Sequence, residues 1–111
     1  MSEYPPIGET WIFDIGPAQI EHHYLSDREM HYLILNGHFA GVAETVPIDV
    51  KEVTPGGFLV GWREGNKTTV VHWEDFAAGV FESFVTLPDL EFVHFSGKMW
   101  RKEPEPARDT A

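Results

Sequence analysis

The stretch FLVGWREGNKTTVVHWEDF, residues 58–76, indicates the fold class of the chain. Two runs rich in β-branched and aromatic residues flank a Gly-Asn pair, which is the pattern of a β-hairpin. If Gly65 and Asn66 form a two-residue loop, with glycine first as in a type II′ turn, then Trp62 faces Thr69 across the hairpin. The stretch therefore predicts two antiparallel strands with a defined register.

This register divides the hairpin into two faces. The more apolar face consists of Phe58, Val60, Trp62, Val71 and Trp73. We expect this face to point inward, with Glu64 at its end near the mouth of the fold. His72 and Glu74 lie on the opposite face, which we expect to contact solvent. Because side chains alternate along a strand, a shift of one residue would reverse the assignment of either strand.

The rest of the chain continues this pattern on both sides of the hairpin. Short apolar runs alternate with turn signals such as Asn36-Gly37, and no stretch keeps the 3.6-residue period of a helix. The sequence predicts a single all-β domain over residues 1–101, with eight or nine short antiparallel strands closing into a small barrel. Residues 102–111 are charged and proline-rich, and we expect a flexible tail there.

Alternation also orients two other strands. In QIEHHYL, residues 19–25, the inward positions are Ile20, His22 and Tyr24. In EFVHFSGKMWR, residues 91–101, the inward positions are Val93, Phe95 and Met99. EMHYLIL, residues 29–35, is apolar on both faces, and its pattern leaves the orientation open.

The composition argues against several classes of function. Eighteen acidic residues stand against eight Lys and Arg, for a net charge of −10, so we expect neither nucleic-acid nor anionic-membrane binding. Without cysteine, the chain forms no disulfide and has no thiolate chemistry. The apolar runs are too short for a membrane span, and the first residues lack a signal-peptide pattern. We therefore expect a cytoplasmic protein.

Five segments follow one another in a characteristic order. They are an aromatic strand ending in Asp-x-Gly, then NGHFAGV, GGFLVGWRE, TTVVHWEDF and FVHFSGKMWR. In this order they resemble the MoaF-like and phenolic-acid-decarboxylase-like group of calycin barrels, over residues 11–101. The last segment looks most like MoaF-like proteins, whose family name implies a link to molybdenum cofactor metabolism. The resemblance implies a lipocalin-like barrel with a pocket for one small molecule.

The resemblance also implies functional residues, position by position. Phenolic acid decarboxylases are cofactor-free lyases, and their pocket glutamate falls on Glu64. Their pocket arginine falls on Val42, and their pocket tyrosines fall near Trp11 and Phe13. The carboxylate clamp and the phenol hydroxyls are therefore absent at these positions. The resemblance supports a related barrel rather than decarboxylation of a p-hydroxycinnamate.

The candidate site combines these observations. We expect Glu64 to be an acid–base group beside Trp11 and Trp62, with His22 and Tyr24 as assistants that relay a proton or orient a carbonyl. The predicted ligand-binding wall consists of Trp11, Phe13, Phe58, Val60, Trp62, Val71, Trp73 and Phe95. Each assignment has a simpler structural alternative. Glu64 could be an exposed carboxylate paired with Lys67, and the aromatic residues could be a filled core.

We expect no cofactor and no metal. The triplet Glu21-His22-His23 suggests a metal site, but neighbouring residues on a strand point to opposite faces, and the other histidines are dispersed. His72 and Asp75 lack a cysteine or a serine in a nucleophile-elbow context.

The sequence thus predicts a small barrel that encloses a small apolar or aromatic molecule, phenolic or polyketide-like. We expect it to act on that molecule as a lyase, isomerase or cyclase. A non-catalytic lipocalin-like carrier or sensor remains the main alternative, and an interaction module with a solidly filled barrel is a third. A homodimer and a monomer are equally expected.

Overall fold

The structure is a computed structural model that describes residues 4–103. These residues form nine strands and no helix. The strands are β1 (Thr10–Asp14), β2 (Gln19–Tyr24), β3 (Glu29–Ile34), β4 (Ala43–Pro47), β5 (Asp49–Thr54), β6 (Gly57–Arg63), β7 (Thr69–Asp75), β8 (Val80–Thr86) and β9 (Phe92–Arg101). The predicted all-β class is confirmed. Over the described range, no helix is long and apolar enough to cross a membrane.

All nine strands belong to one antiparallel sheet, in the order β4-β3-β2-β1-β9-β8-β7-β6-β5. Strands adjacent in sequence pair with one another except β4 and β5, and β1 also pairs with β9, from Trp11 opposite Arg101 to Asp14 opposite Lys98. The sheet curls into a nearly closed barrel, as the sequence predicts. Its two edges are β4 and β5, which follow one another in the chain through Ile48.

The barrel wall is incomplete between β4 and the end of β6. Strand β5 pairs with β6 only as far as Gly61, so Trp62 and Arg63 extend beyond β5, on the side where β6 comes close to β4. No ladder joins β4 to β6; instead, the carboxylate of Glu44 accepts hydrogen bonds from the backbone N–H of Gly65 at 2.9 and 3.1 Å. We call this gap the seam.

Residues 4–8 cover the end of the barrel that lies away from the loop 65–67. Tyr4 is buried and packs edge-on against Tyr24 and Phe58, with ring centroids 5.4 and 5.3 Å apart. The backbone N–H of Gly8 donates to the carbonyl of Tyr24, which fixes this segment against β2. The chain lead thus becomes part of the core.

The register of the β6–β7 hairpin differs from the sequence prediction by one residue. Trp62 pairs with Val70, because the loop contains three residues, 65–67, rather than two. The N–H of Lys67 donates to the carbonyl of Glu64, and Lys67 has a φ of +77°. This is a type I turn followed by a left-handed residue, the usual geometry of a three-residue hairpin loop.

The shift reverses the predicted faces of β7. Val71 and Trp73, predicted to line a pocket, lie on the outer face, where Val71 is 45% exposed. His72 and Glu74, predicted to face solvent, are inside the barrel, with 4% and 0% exposure. The prediction for β7 was wrong because the loop type, and with it the pairing, was misassigned.

The orientation of β2 and β9 follows the sequence pattern. His22 and Tyr24 on β2 are 2% and 0% exposed, which confirms their inward parity. On β9, Phe95 is half-buried and Met99 is buried, while their neighbours are exposed. Strand β3, which the pattern did not orient, directs Tyr32 and its inward neighbours toward the core.

Candidate functional site

A buried carboxylate lies at the centre of the closed end of the barrel. Tyr4 Oη donates to Glu74 Oε1 at 2.5 Å, and His72 Nδ1 lies 2.9 Å from Glu74 Oε2. Both oxygens of Glu74 therefore have a partner. Tyr4 and Glu74 are 70 residues apart in the chain, so only the folded barrel brings them together.

A second imidazole lies beside this network. The ring centroids of His22 and His72 are 5.6 Å apart, and their planes differ by 16°. His22 Nδ1 lies 3.3 Å from Tyr24 Oη, two residues along the same face of β2. His22, His72 and Glu74 each offer one ligand atom, and these atoms all lie within 4.8 Å of one another. We call these three side chains the inner triad.

Aromatic side chains surround the inner triad. Phe13 packs against His22 with ring centroids 4.3 Å apart, and Trp62 packs edge-on against His72 at 4.8 Å. Phe81 lies 5.4 Å from His72 on the side of β8. These rings exclude water, so every polar atom among them depends on a protein or ligand partner.

Burial determines the protonation state of several groups here. Desolvation lowers the pKa of His22 well below its ordinary value, and the neighbouring His72 lowers it further. Desolvation also raises the pKa of Tyr4 and of Tyr24 well above the ordinary phenol value, with the carboxylate of Glu74 adding to both shifts. His22 is therefore neutral and both phenols remain protonated at neutral pH.

A second group of polar residues lies at the mouth of the barrel, beside the seam. Trp62 Nε1 donates to Glu64 Oε2 at 3.1 Å, and Tyr32 Oη donates to Glu44 Oε1 at 3.1 Å. Glu64 is half-buried, and burial raises its pKa. The hydrogen bond from Trp62 opposes this shift, and the nearby Glu44 carboxylate adds to it. We call Glu64, Trp62, Tyr32 and Glu44 the mouth group.

The seam opens into a groove with a volume of about 820 Å³. Its walls are residues 44–47, 63–65 and 67. Glu64 lies on this wall, and its hydrogen bond leads through Trp62 to the packed interior next to His72. The mouth group therefore lies between solvent and the inner triad.

The predicted site residues are divided between these places. His22 and Tyr24 contact one another inside the barrel, whereas Glu64 lies at the mouth and is hydrogen-bonded to Trp62 instead. Trp11, expected beside Glu64, donates to Glu9 and packs 4.8 Å from Phe76 at the closed end. Of the predicted wall, the fully buried members are Phe13, Phe58 and Val60.

Three residues of the interior network were missed from sequence. Tyr4 belongs to a proline-bearing lead that carries no strand pattern. His72 and Glu74 are two residues apart and so share a face, and a three-residue loop would have placed that face inside. The spacing of His72 and Glu74 in HWED therefore indicated a shared face, but whether that face points inward depended on the loop type.

These features define the class of protein: a small calycin-like antiparallel barrel with an apolar core that encloses a few polar side chains. The chain belongs to the MoaF-like family, which matches residues 7–100.

Solved structures give a consistent picture of the fold. A crystal structure from Burkholderia vietnamiensis, described as a "putative beta-lactamase", is 29% identical and has a TM-score of 0.86. The match covers 92% of this chain and 100% of that one. No curated protein matches the chain.

Proposed function

We propose that this MoaF-like barrel binds a small, largely apolar or aromatic molecule at the seam and acts on it by proton transfer. The reaction class is that of a lyase, isomerase or cyclase, with Glu64 as the acid–base group. The observation that carries the proposal is the half-buried Glu64 on the wall of the groove, with a pKa raised by burial.

A raised pKa suits a carboxyl group to general acid catalysis. At neutral pH the group holds its proton more often than a solvated glutamate, and it can return to the charged form within the same reaction. Its Oε2 accepts a hydrogen bond from Trp62, which orients the carboxyl on the groove wall. A carbonyl or phenolic oxygen of the ligand would be the partner.

The groove offers a ligand both apolar and polar contacts. Val46 and Pro47 supply its apolar lining, and the buried indole of Trp62 lies behind Glu64, packed edge-on against His72. Tyr32 and Glu44 form a hydrogen-bonded pair on the same side, which can recognise a polar substituent. Small-molecule sites commonly combine an apolar wall with a few placed polar groups.

The proposal is tested by comparing the wild-type protein with Glu64→Gln. A panel of small phenolic and polyketide-like compounds is titrated by tryptophan fluorescence, and turnover is followed for each compound that binds. We expect Glu64→Gln to keep affinity within a few-fold and to lose about 10²–10⁴-fold in turnover, the usual contribution of a general acid. Unchanged turnover in this variant would show that Glu64 is not the acid–base group.

Glu82→Gln is the matched control. Glu82 is a half-exposed glutamate on β8, with its carboxylate 3.7 Å from His94, and it does not line the groove. We expect its affinity and turnover to equal those of the wild type. A loss as large as that of Glu64→Gln would point to net charge rather than to the mouth group.

A non-catalytic carrier is the second candidate. Its support is the closed end of the barrel, where both oxygens of Glu74 are already hydrogen-bonded. A carrier needs the groove, but no proton transfer. Binding by both the wild type and Glu64→Gln, with no product from either, would favour this function.

The description of the Burkholderia vietnamiensis protein does not change the proposal. The four serines here are Ser2, Ser26, Ser83 and Ser96, and none is followed three positions later by lysine. The Ser-x-x-Lys arrangement of serine β-lactamases is therefore absent from this sequence.

A further inference from the structure

We propose that the inner triad, His22, His72 and Glu74, binds one divalent transition-metal ion inside the barrel. The sequence analysis led us to expect no metal, because His22 and His23 point to opposite faces of β2. The fold supplies the missing partners from β7, across the barrel. None of the three ligands belongs to the mouth group, and the proton transfer proposed for Glu64 does not depend on the metal.

The distances suit a single ion. The three ligand atoms lie within 4.8 Å of one another. An ion bound at about 2.0–2.2 Å from each atom holds them roughly 3.4 Å apart in tetrahedral geometry. Side-chain movements of about 1 Å close this difference.

The two imidazoles already have a suitable separation. Their ring centroids are 5.6 Å apart. Two histidines that share one tetrahedral ion place their centroids roughly 5.2 Å apart, from the same bond lengths and the size of the ring. The strand register holds this spacing, because both histidines lie within barrel strands and are buried.

The donor atoms indicate the class of ion. Two imidazole nitrogens and one carboxylate oxygen form the ligand set of many catalytic zinc sites and of non-haem iron sites. Magnesium and calcium prefer sites made of oxygen atoms alone. A first-row divalent ion such as Zn²⁺ therefore fits better than a hard cation.

The surroundings provide the outer contacts that metal ligands usually need. Tyr4 donates to Glu74 Oε1, so an ion that binds through Oε2 replaces only the contact between Oε2 and His72 Nδ1. Tyr24 lies against His22 Nδ1, which leaves Nε2 as a ligand atom. Hydrogen-bonding partners such as Tyr4 and Tyr24 orient the metal ligands, and loss of one such partner typically weakens metal binding by about 10–100-fold. Phe13, Trp62 and Phe81 form a dry wall around the site.

The alternative is a network that is complete without metal. In that case His72 and Glu74 remain directly hydrogen-bonded at 2.9 Å, and added ions bind only to exposed histidines. The two possibilities predict different stoichiometry and different sensitivity to mutation, and the full chain can be tested for both.

The experiment uses Co²⁺ as a spectroscopic probe and Zn²⁺ as its competitor. The full chain is stripped with chelator, titrated with Co²⁺, and followed by visible absorption and by metal analysis after desalting. We expect one Co²⁺ per chain, displaced by one Zn²⁺. His22→Gln and Glu74→Gln should each weaken binding by more than the roughly 10–100-fold expected for an outer contact.

His23→Gln is the matched control, because His23 is the neighbour of His22 on β2 but bonds to Thr10 at 2.8 Å away from the interior. It should bind Co²⁺ as the wild type does. Tyr4→Phe keeps all three ligands and should weaken binding by about 10–100-fold. Glu64→Gln should leave metal binding unchanged, which separates this proposal from the function of the mouth group.

Two results would overturn the proposal. One is a folded wild-type chain that takes up no Co²⁺ or Zn²⁺ at one equivalent. The other is Co²⁺ binding that is as tight in His22→Gln and Glu74→Gln as in the wild type. If a ligand variant fails to fold, the decision rests on Tyr4→Phe and on the thermal midpoint. Zn²⁺ should then raise the midpoint equally in the wild type and His23→Gln, and less in Tyr4→Phe; equal shifts in all three would contradict the site.

Discussion

Glu74 and Glu64 belong to the same hairpin and lie toward opposite ends of the barrel, yet their surroundings differ in kind. Glu74 is 0% exposed, and each of its oxygens has a protein partner within 2.9 Å. Glu64 is half-buried on the wall of a groove, with a hydrogen bond from Trp62 to one oxygen. One carboxylate is enclosed and hydrogen-bonded at both oxygens, and the other lies at the edge of an open groove.

We infer from this contrast that the closed end and the mouth of the barrel differ in function. A fully hydrogen-bonded buried network holds its members in one arrangement and is costly to disturb. A carboxyl at the edge of water can exchange protons and partners. We therefore expect mutations at the closed end to change stability and metal binding, and mutations at the mouth to change ligand chemistry.

The largest effect is expected from Glu74→Ala. The change leaves Tyr4 Oη and His72 Nδ1 without their partner in a closed site. Removing one member of a buried pair costs about 3–5 kcal/mol. The free energy of unfolding is measured by urea denaturation.

Glu64→Ala is the matched comparison, and we expect it to cost less than about 1 kcal/mol. Equal losses in the two variants would contradict the difference between the enclosed and the open carboxylate.

A smaller effect is expected from Tyr4→Phe, which removes one hydroxyl and keeps the ring. The hydroxyl bonds to a buried carboxylate, and such bonds contribute about 1.5–3 kcal/mol. Tyr32→Phe removes a similar hydroxyl at the mouth, from a bond to the half-buried Glu44. We expect a loss below about 1 kcal/mol for Tyr32→Phe. Urea denaturation measures the free energy of unfolding of both variants. A larger loss in Tyr32→Phe than in Tyr4→Phe would contradict the stronger hydrogen bonding at the closed end.

The pH dependence of stability should report on Glu64 and give a smaller effect again. Burial raises its pKa in the folded chain above the ordinary 4.5, so the folded state binds the proton more tightly than the unfolded state. Stability should therefore fall as the pH rises from about 4.5 to the raised pKa, and then level off for this group. Glu64→Gln should reduce that slope. Unfolding midpoints from pH 4 to 8 measure it, and identical profiles would contradict the raised pKa.

The sequence predicted the parts of the structure that depend on alternation within one strand. His22 and Tyr24 were placed inside because QIEHHYL is more apolar on their face. The nine strands also follow from runs and turn signals that are local in the chain.

The parts that were missed depend on geometry between segments. The face of β7 depended on whether the loop has two or three residues, and Lys67 takes a left-handed conformation that its residue type does not suggest. Tyr4 reaches Glu74 over 70 residues, and the seam exists because β5 pairs with only part of β6. Neither feature leaves a periodic pattern in the sequence.

The two turns that flank β7 extend the comparison to the backbone. At the mouth, Lys67 holds a φ of +77°, which is strained for a side chain, whereas at the other end Gly79 holds +70° without that strain. We expect Lys67→Gly to raise the free energy of unfolding by up to about 1 kcal/mol. Gly79→Ala should lower it by about 1–2 kcal/mol, because its new Cβ would lie 3.0 Å from the carbonyl oxygen of Met99 as well. Urea denaturation measures both. A loss of stability in Lys67→Gly would mean that the lysine side chain stabilises the turn, and that the turn geometry alone does not set the register of the hairpin.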